Sequence, residues 1–297
     1  SGRSARETFF VLIAIYVFTV VFAISLAMLR GGWEGVAAPY ARQSYEYIND
    51  IGKGMTIRGF FREYNKLHPY LSMHSKVHPP GPVVLLWILA DLGAGRTPLG
   101  LSLATVFFGS LTVFPLYMWI KDMADRQTAL WASLLYSLSP MIVLFTATSA
   151  DILFMPFTVT TLFLFGRAVR GGSLWYGFGA GVGYAIMSLL SFSLIGVGVF
   201  FGFVGLFGVF SSERRKFVFR TAVVMAITLV LFHGLVRLWS GFDVIACFRL
   251  CKEQFDTDQS LLDRLGPRYP WWAWKFFNPM CWIFFVGIPI TVLTYQF

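Results

Sequence analysis

The stretch HSKVHPPGPVVLLWILA, residues 74–90, decides how the chain is arranged relative to a membrane. It places two histidines four residues apart, His74 and His78, and a rigid Pro-Pro-Gly-Pro directly before the apolar run at 83–90. That run could be a membrane span with a stiff entrance, or a helix that supports an active site. The number of other spans and the charges between them distinguish these two interpretations.

The composition indicates an integral membrane protein. Of the 297 residues, 57% are hydrophobic and 13% are charged, and the mean hydropathy is +0.66, whereas soluble domains carry about 25% charged residues. The net charge of +9 would also suit a nucleic-acid partner. The basic residues are scattered among short loops, however, where the positive-inside rule for membrane proteins accounts for them. We therefore expect no nucleic-acid partner.

Apolar runs predict where the chain crosses the membrane. A helix needs about 20 apolar residues to cross a bilayer, and the runs near this length predict an all-α polytopic membrane protein with about eight transmembrane helices. The runs lie at 8–28, 99–120, 129–146, 152–165, 174–190, 194–210, 217–239 and 279–297.

Positive charges predict the orientation of these spans. The N-terminal arginines and the basic loops at 166–172 and 212–220 should lie in the cytoplasm by the positive-inside rule. If the spans are counted back from these two loops, an additional span at 83–90 would place the N-terminus and its arginines outside the cytoplasm. We therefore predict that this run does not cross, and that residues 81–92 form a juxtamembrane helix at the outer face.

Two long segments then lie on the outer face, at 29–98 and 240–278. We treat residues 1–297 as a single transmembrane domain. The chain starts without a methionine and ends inside an apolar run, so we expect it to be processed or C-terminally incomplete. The bacterial inner membrane is the default location, and the endoplasmic reticulum fits the same topology.

Polar residues concentrate in the segment at 29–98. A carboxylate amid cations near a membrane surface suits a general base that works beside a phosphate. The alternative is a solvated amphipathic helix, which suits the basic residues of RGFFREYNKL. The candidates are the carboxylates Glu34, Glu46 and Asp50 and the cations Lys53, Arg58 and Lys76.

Two pairs of side chains have a spacing that can bind a metal ion. His74 and His78 are four residues apart, which places both on one face of a helix, but hydrogen-bonded surface or capping histidines have the same pattern. Cys247 and Cys251 have the same spacing, and they are either packing residues or a disulfide or ligand pair. A divalent metal at His78 stays an option, and no cofactor is certain.

Charged residues also occur in two other outer parts of the chain. Asp151, in TSAD, precedes an apolar run. An ionisable group at the membrane edge is a functional candidate, although Asp151 could equally cap the following helix. In the segment at 240–278, Arg264 and Arg268 could bind an anionic headgroup.

The layout resembles that of the GT-C membrane glycosyltransferases, in the branch of the protein O-mannosyltransferases and the lipid A aminoarabinose transferases. The shared features are a first span with a cytoplasmic N-terminus and a long outer loop with acidic and aromatic residues. HPPGP before a short apolar helix and TATSAD between two apolar runs are also similar. The resemblance covers the layout from residue 8 to residue 210.

The resemblance implies an inverting sugar transfer at the periplasmic or lumenal face. The donor would be a polyprenyl-phosphate-linked sugar bound beside membrane lipids, and the acceptor a lipid, a glycan or a protein. Asp50 is the predicted base, and Glu46 and Glu34 are the next candidates. His78 would orient the phosphate or hold a metal, and Asp151 would position the acceptor or hydrogen-bond the base.

Two other functions fit the same composition. A lipid or solute transporter predicts ionisable groups at mid-membrane depth and matched broken helices in two repeats. A non-catalytic subunit of a larger membrane complex needs only the aromatic surface. Convergence of Asp50, His78 and Asp151 on one cavity would favour the transferase.

Overall fold

A computed structural model of the chain describes residues 2–41, 45–52, 54–171, 173–210, 214–264 and 271–287. These residues form helices that are joined by short turns, and no strand occurs among them. Several of the helices are apolar and long enough to cross a membrane. The predicted all-α, polytopic membrane fold is therefore confirmed.

The first third of the chain contains one membrane-length helix followed by short helices. Helix α1 spans Gly2–Met28. The short helices are α2 (Gly32–Ala41), a 3-10 turn (Tyr47–Asp50), α3 (Ile57–Leu67), a second 3-10 turn (His68–Tyr70), α4 (Met73–Lys76), α5 (Gly81–Leu89) and a π-helical turn (Ala90–Ala94).

The rest of the chain consists mainly of apolar helices. They are α6 (Pro98–Ser110), α7 (Val113–Met123), α8 (Arg126–Leu138), α9 (Pro140–Thr148), α10 (Met155–Val169), α11 (Leu174–Leu190), α12 (Val197–Val209), α13 (Arg215–Ser240), α14 (Val244–Arg264) and α15 (Trp271–Val286). A 3-10 turn, Ala150–Phe154, leads into α10, and another, Phe192–Gly196, leads into α12.

The length and composition of the described helices support four membrane spans, or five if the bent α8–α9 pair is one span. Three further apolar helices are shorter than this test requires: α5 with its π turn, α11, and Phe192–Gly208. The count of about eight spans stays a prediction. The four membrane-length helices are Ser4–Met28, Pro98–Met123, Ala150–Val169 and Arg215–Ser240.

Two predicted spans have helices whose form or bounds the sequence did not predict. The run at 129–146, predicted as one span, is divided into α8 and α9, which meet at an angle of 55°. Pro140 accounts for the bend, because proline lacks the amide hydrogen that would continue α8 and its ring clashes with the preceding turn. The run predicted at 279–297 begins earlier, since α15 starts at Trp271; residues 288–297 lie outside the described part.

The helix predicted at 81–92 is present as α5 and its π turn. It begins with Gly81 and Pro82, at the helical position where proline loses no hydrogen bond. Leu86 is 0% exposed in the largest hydrophobic core. A Cβ atom on Gly81 would lie 2.1 Å from the carbonyl oxygen of Leu189. The backbone of α5 is therefore in direct contact with the backbone at the end of α11.

Helix α3 joins the first polar segment to the C-terminal helices. Phe60 is fully buried on one face of α3, whereas Arg58 is exposed on the other. Phe61 packs edge-on against Phe242, which lies between α13 and α14, with ring centroids 5.5 Å apart. The structure thus shows the solvated amphipathic helix that was the alternative interpretation of RGFFREYNKL.

Candidate active site

Five separate parts of the chain line one cavity of about 330 Å³ at the end of the bundle where α1 and α9 end. They are the turn after α1, the end of α2, Glu46 with the start of the first 3-10 turn, the histidine segment (residues 73–78), and the turn between α9 and α10. The functional side chains that they contribute are Arg30, Glu46, Tyr47, His74, His78 and Asp151.

Tyr47 lies between the two histidines. Its side chain is buried, and its ring contacts both imidazoles edge-on, with centroids 5.6 Å from His74 and 5.9 Å from His78. Helix α4 ends at Lys76, so the continuous helical face that their spacing suggests is interrupted before His78. The prolines explain this end, because the residue before a proline disfavours the helical conformation.

The carboxylate of Asp151 is not used as a helix cap, because Ser149 takes that role. The hydroxyl of Ser149 accepts a hydrogen bond from the Asp151 N–H at 3.1 Å, so Ser149 is the N-cap of the turn that leads into α10. The Asp151 side chain is exposed and lines the cavity. Burial, followed by the negative charge of Asp151, raises the pKa of Tyr47 well above its ordinary value.

Burial lowers the pKa of His78 and so favours its neutral form, and the negative charge of Asp151 opposes this only in part. Its Nδ1 atom is buried and has no hydrogen-bond partner in the part of the chain that the structure describes. The ring also donates a hydrogen bond to the backbone of Leu190, so Nδ1 is the nitrogen that can accept a hydrogen bond from a hydroxyl group of a ligand.

Glu46 lies beside the other histidine. One carboxylate oxygen of Glu46 is 3.8 Å from Nδ1 of His74. Glu46 is buried, whereas about half of the His74 side chain is exposed. Glu46 therefore lies on the inner wall of the cavity and His74 lies near its opening. The two side chains form an ion pair whenever His74 is protonated.

Asp50, the predicted base, is not among the residues that line the cavity. Its side chain is buried, and Oδ2 accepts hydrogen bonds from the backbone N–H of Ser72 at 3.0 Å and from the Ser72 hydroxyl at 2.6 Å. Ser72 is the N-cap of α4. Asp50 therefore fixes the start of the helix that carries His74, and its role as a base stays a prediction.

The other predicted site residues lie away from this lining. Arg58 is exposed on α3, Lys76 is partly exposed at the end of α4, and Glu34 is exposed in the first turn of α2. None of these three lines the cavity. Lys53, Arg268 and the side chain of Arg264 lie outside the described residues.

Arg30 lines the cavity although it is not among the residues predicted from the sequence. It lies two residues after the end of α1, and its Nη2 atom donates to the carbonyl of Gly35 at 3.2 Å. In the predicted orientation, this arginine stands at the outer end of a span, against the positive-inside rule. An arginine at the outer end of a span is unusual, and this position could have identified Arg30 from the sequence.

The arrangement of these side chains does not fit a bound metal ion. The carboxylates and imidazoles of the cavity are suitable donors for a divalent cation. Within the described residues, however, no three His, Cys, Asp or Glu side chains are placed to hold one ion. The histidines contact the ring of Tyr47 rather than a common point, and we assign no step to a metal.

A known family matches the chain over this region. The family model described as dolichyl-phosphate-mannose-protein mannosyltransferase matches residues 77–262, which is more than half of the chain. The match includes HPPGP and Asp151. It confirms the predicted resemblance to GT-C glycosyltransferases. No curated protein matches the chain.

Proposed function

We propose that this chain, which belongs to the dolichyl-phosphate-mannose-protein mannosyltransferase family, transfers its sugar in the cavity beside Arg30, His78 and Asp151. The family and the apolar helices make the protein a membrane glycosyltransferase of the GT-C type. The observation that carries the proposal is the convergence of a guanidinium, two imidazoles and two carboxylates on one cavity. A non-catalytic subunit has no need for such a convergence.

In this proposal, the donor is a polyprenyl-phosphate-linked sugar, and mannose is the sugar that we expect. The family description names dolichyl-phosphate-mannose. Arg30 supports the assignment, because a guanidinium is always charged and its geometry suits a phosphate. Arg30 lies two residues after the end of the apolar helix α1, so a phosphate bound there would lie at the membrane edge, with its prenyl chain in the lipid.

Asp151 is the general base in this proposal. Its carboxylate takes the proton of the acceptor hydroxyl while the acceptor oxygen bonds to C1 of the sugar. The bond from C1 to the phosphate oxygen breaks, and the polyprenyl phosphate leaves as an anion beside Arg30. A single displacement of this kind inverts the anomeric configuration. The geometry favours Asp151 over Asp50, because Asp50 is buried and bonded to Ser72.

The reaction would take place on the outer face of the membrane. The basic residues Arg3 and Arg6 at the start of α1 favour a cytoplasmic N-terminus, and the cavity lies at the opposite end of α1. The acceptor would then be a lipid, a glycan or a protein in the periplasm or in the lumen of the endoplasmic reticulum. Assembly into a larger membrane complex is compatible with this arrangement.

Replacement of Arg30 tests the proposed function. Purified protein in detergent is supplied with dolichyl phosphate mannose labelled in the sugar, and transfer to lipid, glycan and peptide acceptors is followed. We expect Arg30→Gln to lower kcat/KM for the donor roughly 10- to 100-fold, because a hydrogen bond to a charged group contributes about 1.5–3 kcal/mol.

Arg96→Gln is the matched control. Arg96 is an exposed arginine that pairs with Asp91 at 3.5 Å and does not line the cavity, so we expect its replacement to leave transfer within about twofold of wild type. The proposal fails if the two variants behave alike, or if the wild type transfers no sugar from this donor.

A further inference from the structure

The histidine segment ends in two carbonyl groups that the prolines after it cannot satisfy. The carbonyl of Ser75 accepts a hydrogen bond from the N–H of His78 at 3.3 Å. In a continuing helix, the carbonyls of Lys76 and His78 would each accept a hydrogen bond from the N–H four residues later. Those positions, 80 and 82, are both proline, which has no N–H. Buried carbonyls need a partner, so their donors must come from elsewhere.

Three side chains outside the segment supply these donors. They come from α3, from the 3-10 turn after it, and from α14 (Val244–Arg264). A carbonyl oxygen can only accept, so the histidine among them must carry its proton on Nε2. The contacts are Tyr64 Oη to the carbonyl oxygens of Ser75 (2.8 Å) and His78 (2.9 Å), His68 Nε2 to that of Lys76 (2.9 Å), and Cys251 Sγ to that of His78 (3.4 Å).

The thiol of Cys251 gives the His78 carbonyl a donor of its own. The Tyr64 hydroxyl has one proton, and it lies between the carbonyls of Ser75 and His78. Cys251 is 3% exposed, so water does not readily replace its thiol. Cys251 also accepts a hydrogen bond from the protonated ring of His68; this contact raises the pKa of His68 and, after the contact with Cys247, lowers the pKa of Cys251. The form of Cys251 that donates to the His78 carbonyl is the protonated thiol.

We propose that Cys251 is a positioning residue for the sugar transfer: its thiol holds the main chain of His78 so that the imidazole faces the cavity. The proposal rests on the proposed function. It adds that a residue of α14, 173 positions after His78 in the chain, holds the backbone of His78 in place. Tyr64 and His68 hold the same segment from the side of α3.

A matched pair of cysteines tests the proposal. Cys247 lies one turn before Cys251 on α14, and it is 0% exposed, with its sulfur 3.9 Å from that of Cys251. We expect Cys251→Ala to lower kcat/KM for labelled dolichyl phosphate mannose roughly 3- to 10-fold, the effect of one lost hydrogen bond. Cys247→Ala should stay within about twofold of wild type, because the sulfur that reaches the His78 carbonyl is that of Cys251.

Serine distinguishes positioning from simple packing. Cys251→Ser keeps a donor at the same place, and we expect it to restore most of the activity that Cys251→Ala loses. Equal losses in Cys247→Ala and Cys251→Ala, or an activity of Cys251→Ser no higher than that of Cys251→Ala, would overturn the proposal.

The orientation of His78 can also be measured without sugar transfer. Diethyl pyrocarbonate modifies neutral imidazoles, and mass spectrometry of the peptide that contains His74 and His78 gives the two rates. We expect Cys251→Ala, but not Cys247→Ala, to change the rate at His78 several-fold relative to His74. If this change occurs while the wild type transfers no sugar, the proposed function fails and the support of His78 by Cys251 stands. If the rates are unchanged, the positioning proposal is wrong.

Discussion

Ser149 and Asp151, just before α10, have different roles. The Ser149 hydroxyl caps the turn, and the Asp151 carboxylate stays at the cavity. Spacing could not assign these tasks, because Ser and Asp are about equally good N-caps. The polar pattern identified Asp151, but only the hydrogen bond from its own N–H shows which residue is the cap.

The prediction for Asp50 shows what a local pattern cannot reveal about a carboxylate. YEYINDIGKG is polar enough to suggest an accessible base, yet Asp50 is buried and bonded to Ser72, 22 residues later. Burial of this kind depends on the tertiary contact between the two segments. His74, His78 and Glu46 could be selected from the sequence, whereas the surroundings of Asp50 could not.

Acid should destabilise the protein through His78. Its folded-state pKa is below the ordinary value of 6.5 because the ring is buried. As the pH falls from 6.5 towards the lowered pKa, the unfolded chain binds a proton that folded His78 does not, which costs at most about 1.4 kcal/mol per pH unit. We expect the thermal unfolding midpoint in detergent to fall between about pH 7 and about pH 5, and to fall less in His78→Gln.

His68 provides a control of opposite sign. Its pKa is raised, mainly by its hydrogen bond with Cys251, so its contribution to stability is complete below pH 6.5 and is lost as the pH rises through the raised pKa. His68→Gln should therefore lose more stability on acidification than the wild type does. Identical pH profiles for the two histidine variants would contradict these assignments.

At the scale of the helix, local signals predicted α5 well. Pro82 in the first turn and the apolar run that follows are sufficient to predict a short helix at this place. Its packing partner is not a local property, since the end of α11 lies more than 100 residues later in the chain. Gly81 is the residue that permits this packing, because the absence of a side chain lets the backbone of Leu189 approach α5.

Gly81→Ala should separate α5 from α11. The added methyl group would lie 2.1 Å from the Leu189 carbonyl oxygen and 2.6 Å from its carbonyl carbon, so one of the two helices has to move. Overpacking of this kind costs typically about 1–3 kcal/mol. We expect a lower thermal unfolding midpoint in detergent.

Gly234→Ala is the control for this substitution. A Cβ atom on Gly234 meets no atom within 4 Å, and the residue lies inside α13, so alanine should be neutral or slightly stabilising there. A Gly81→Ala variant as stable as Gly234→Ala would show that α5 and α11 do not meet as closely as described.

At the scale of the whole molecule, the composition and the lengths of the apolar runs were sufficient to predict a polytopic helical membrane protein. The number of spans is less well determined by the sequence. The run at 129–146 is bent before Pro140, and α11 has 17 residues, so apolar length does not show by itself which helices cross. Charges in the loops still predict one orientation that can be measured.

Cysteine labelling tests that orientation. Leu92 is 78% exposed in the turn after α5, and Arg214 is exposed before α13. In a Cys281→Ser background, we expect Leu92→Cys to react with a membrane-impermeant maleimide in intact cells. Arg214→Cys should react only after permeabilisation, because positive loops stay in the cytoplasm. The reverse pattern would place the cavity on the cytoplasmic face.

We propose that the sugar is transferred in the cavity beside Arg30 and Asp151. To test this site, Asp151→Asn is compared with Asp50→Asn for transfer from labelled dolichyl phosphate mannose, with thermal stability measured in the same preparations. We expect Asp151→Asn to lower kcat roughly 100-fold or more at unchanged stability, since it removes the base. Asp50→Asn should instead lower stability and keep measurable turnover in the protein that remains folded. Full activity in Asp151→Asn, or loss of turnover in a stable Asp50→Asn protein, would show that Asp151 is not the base in this cavity.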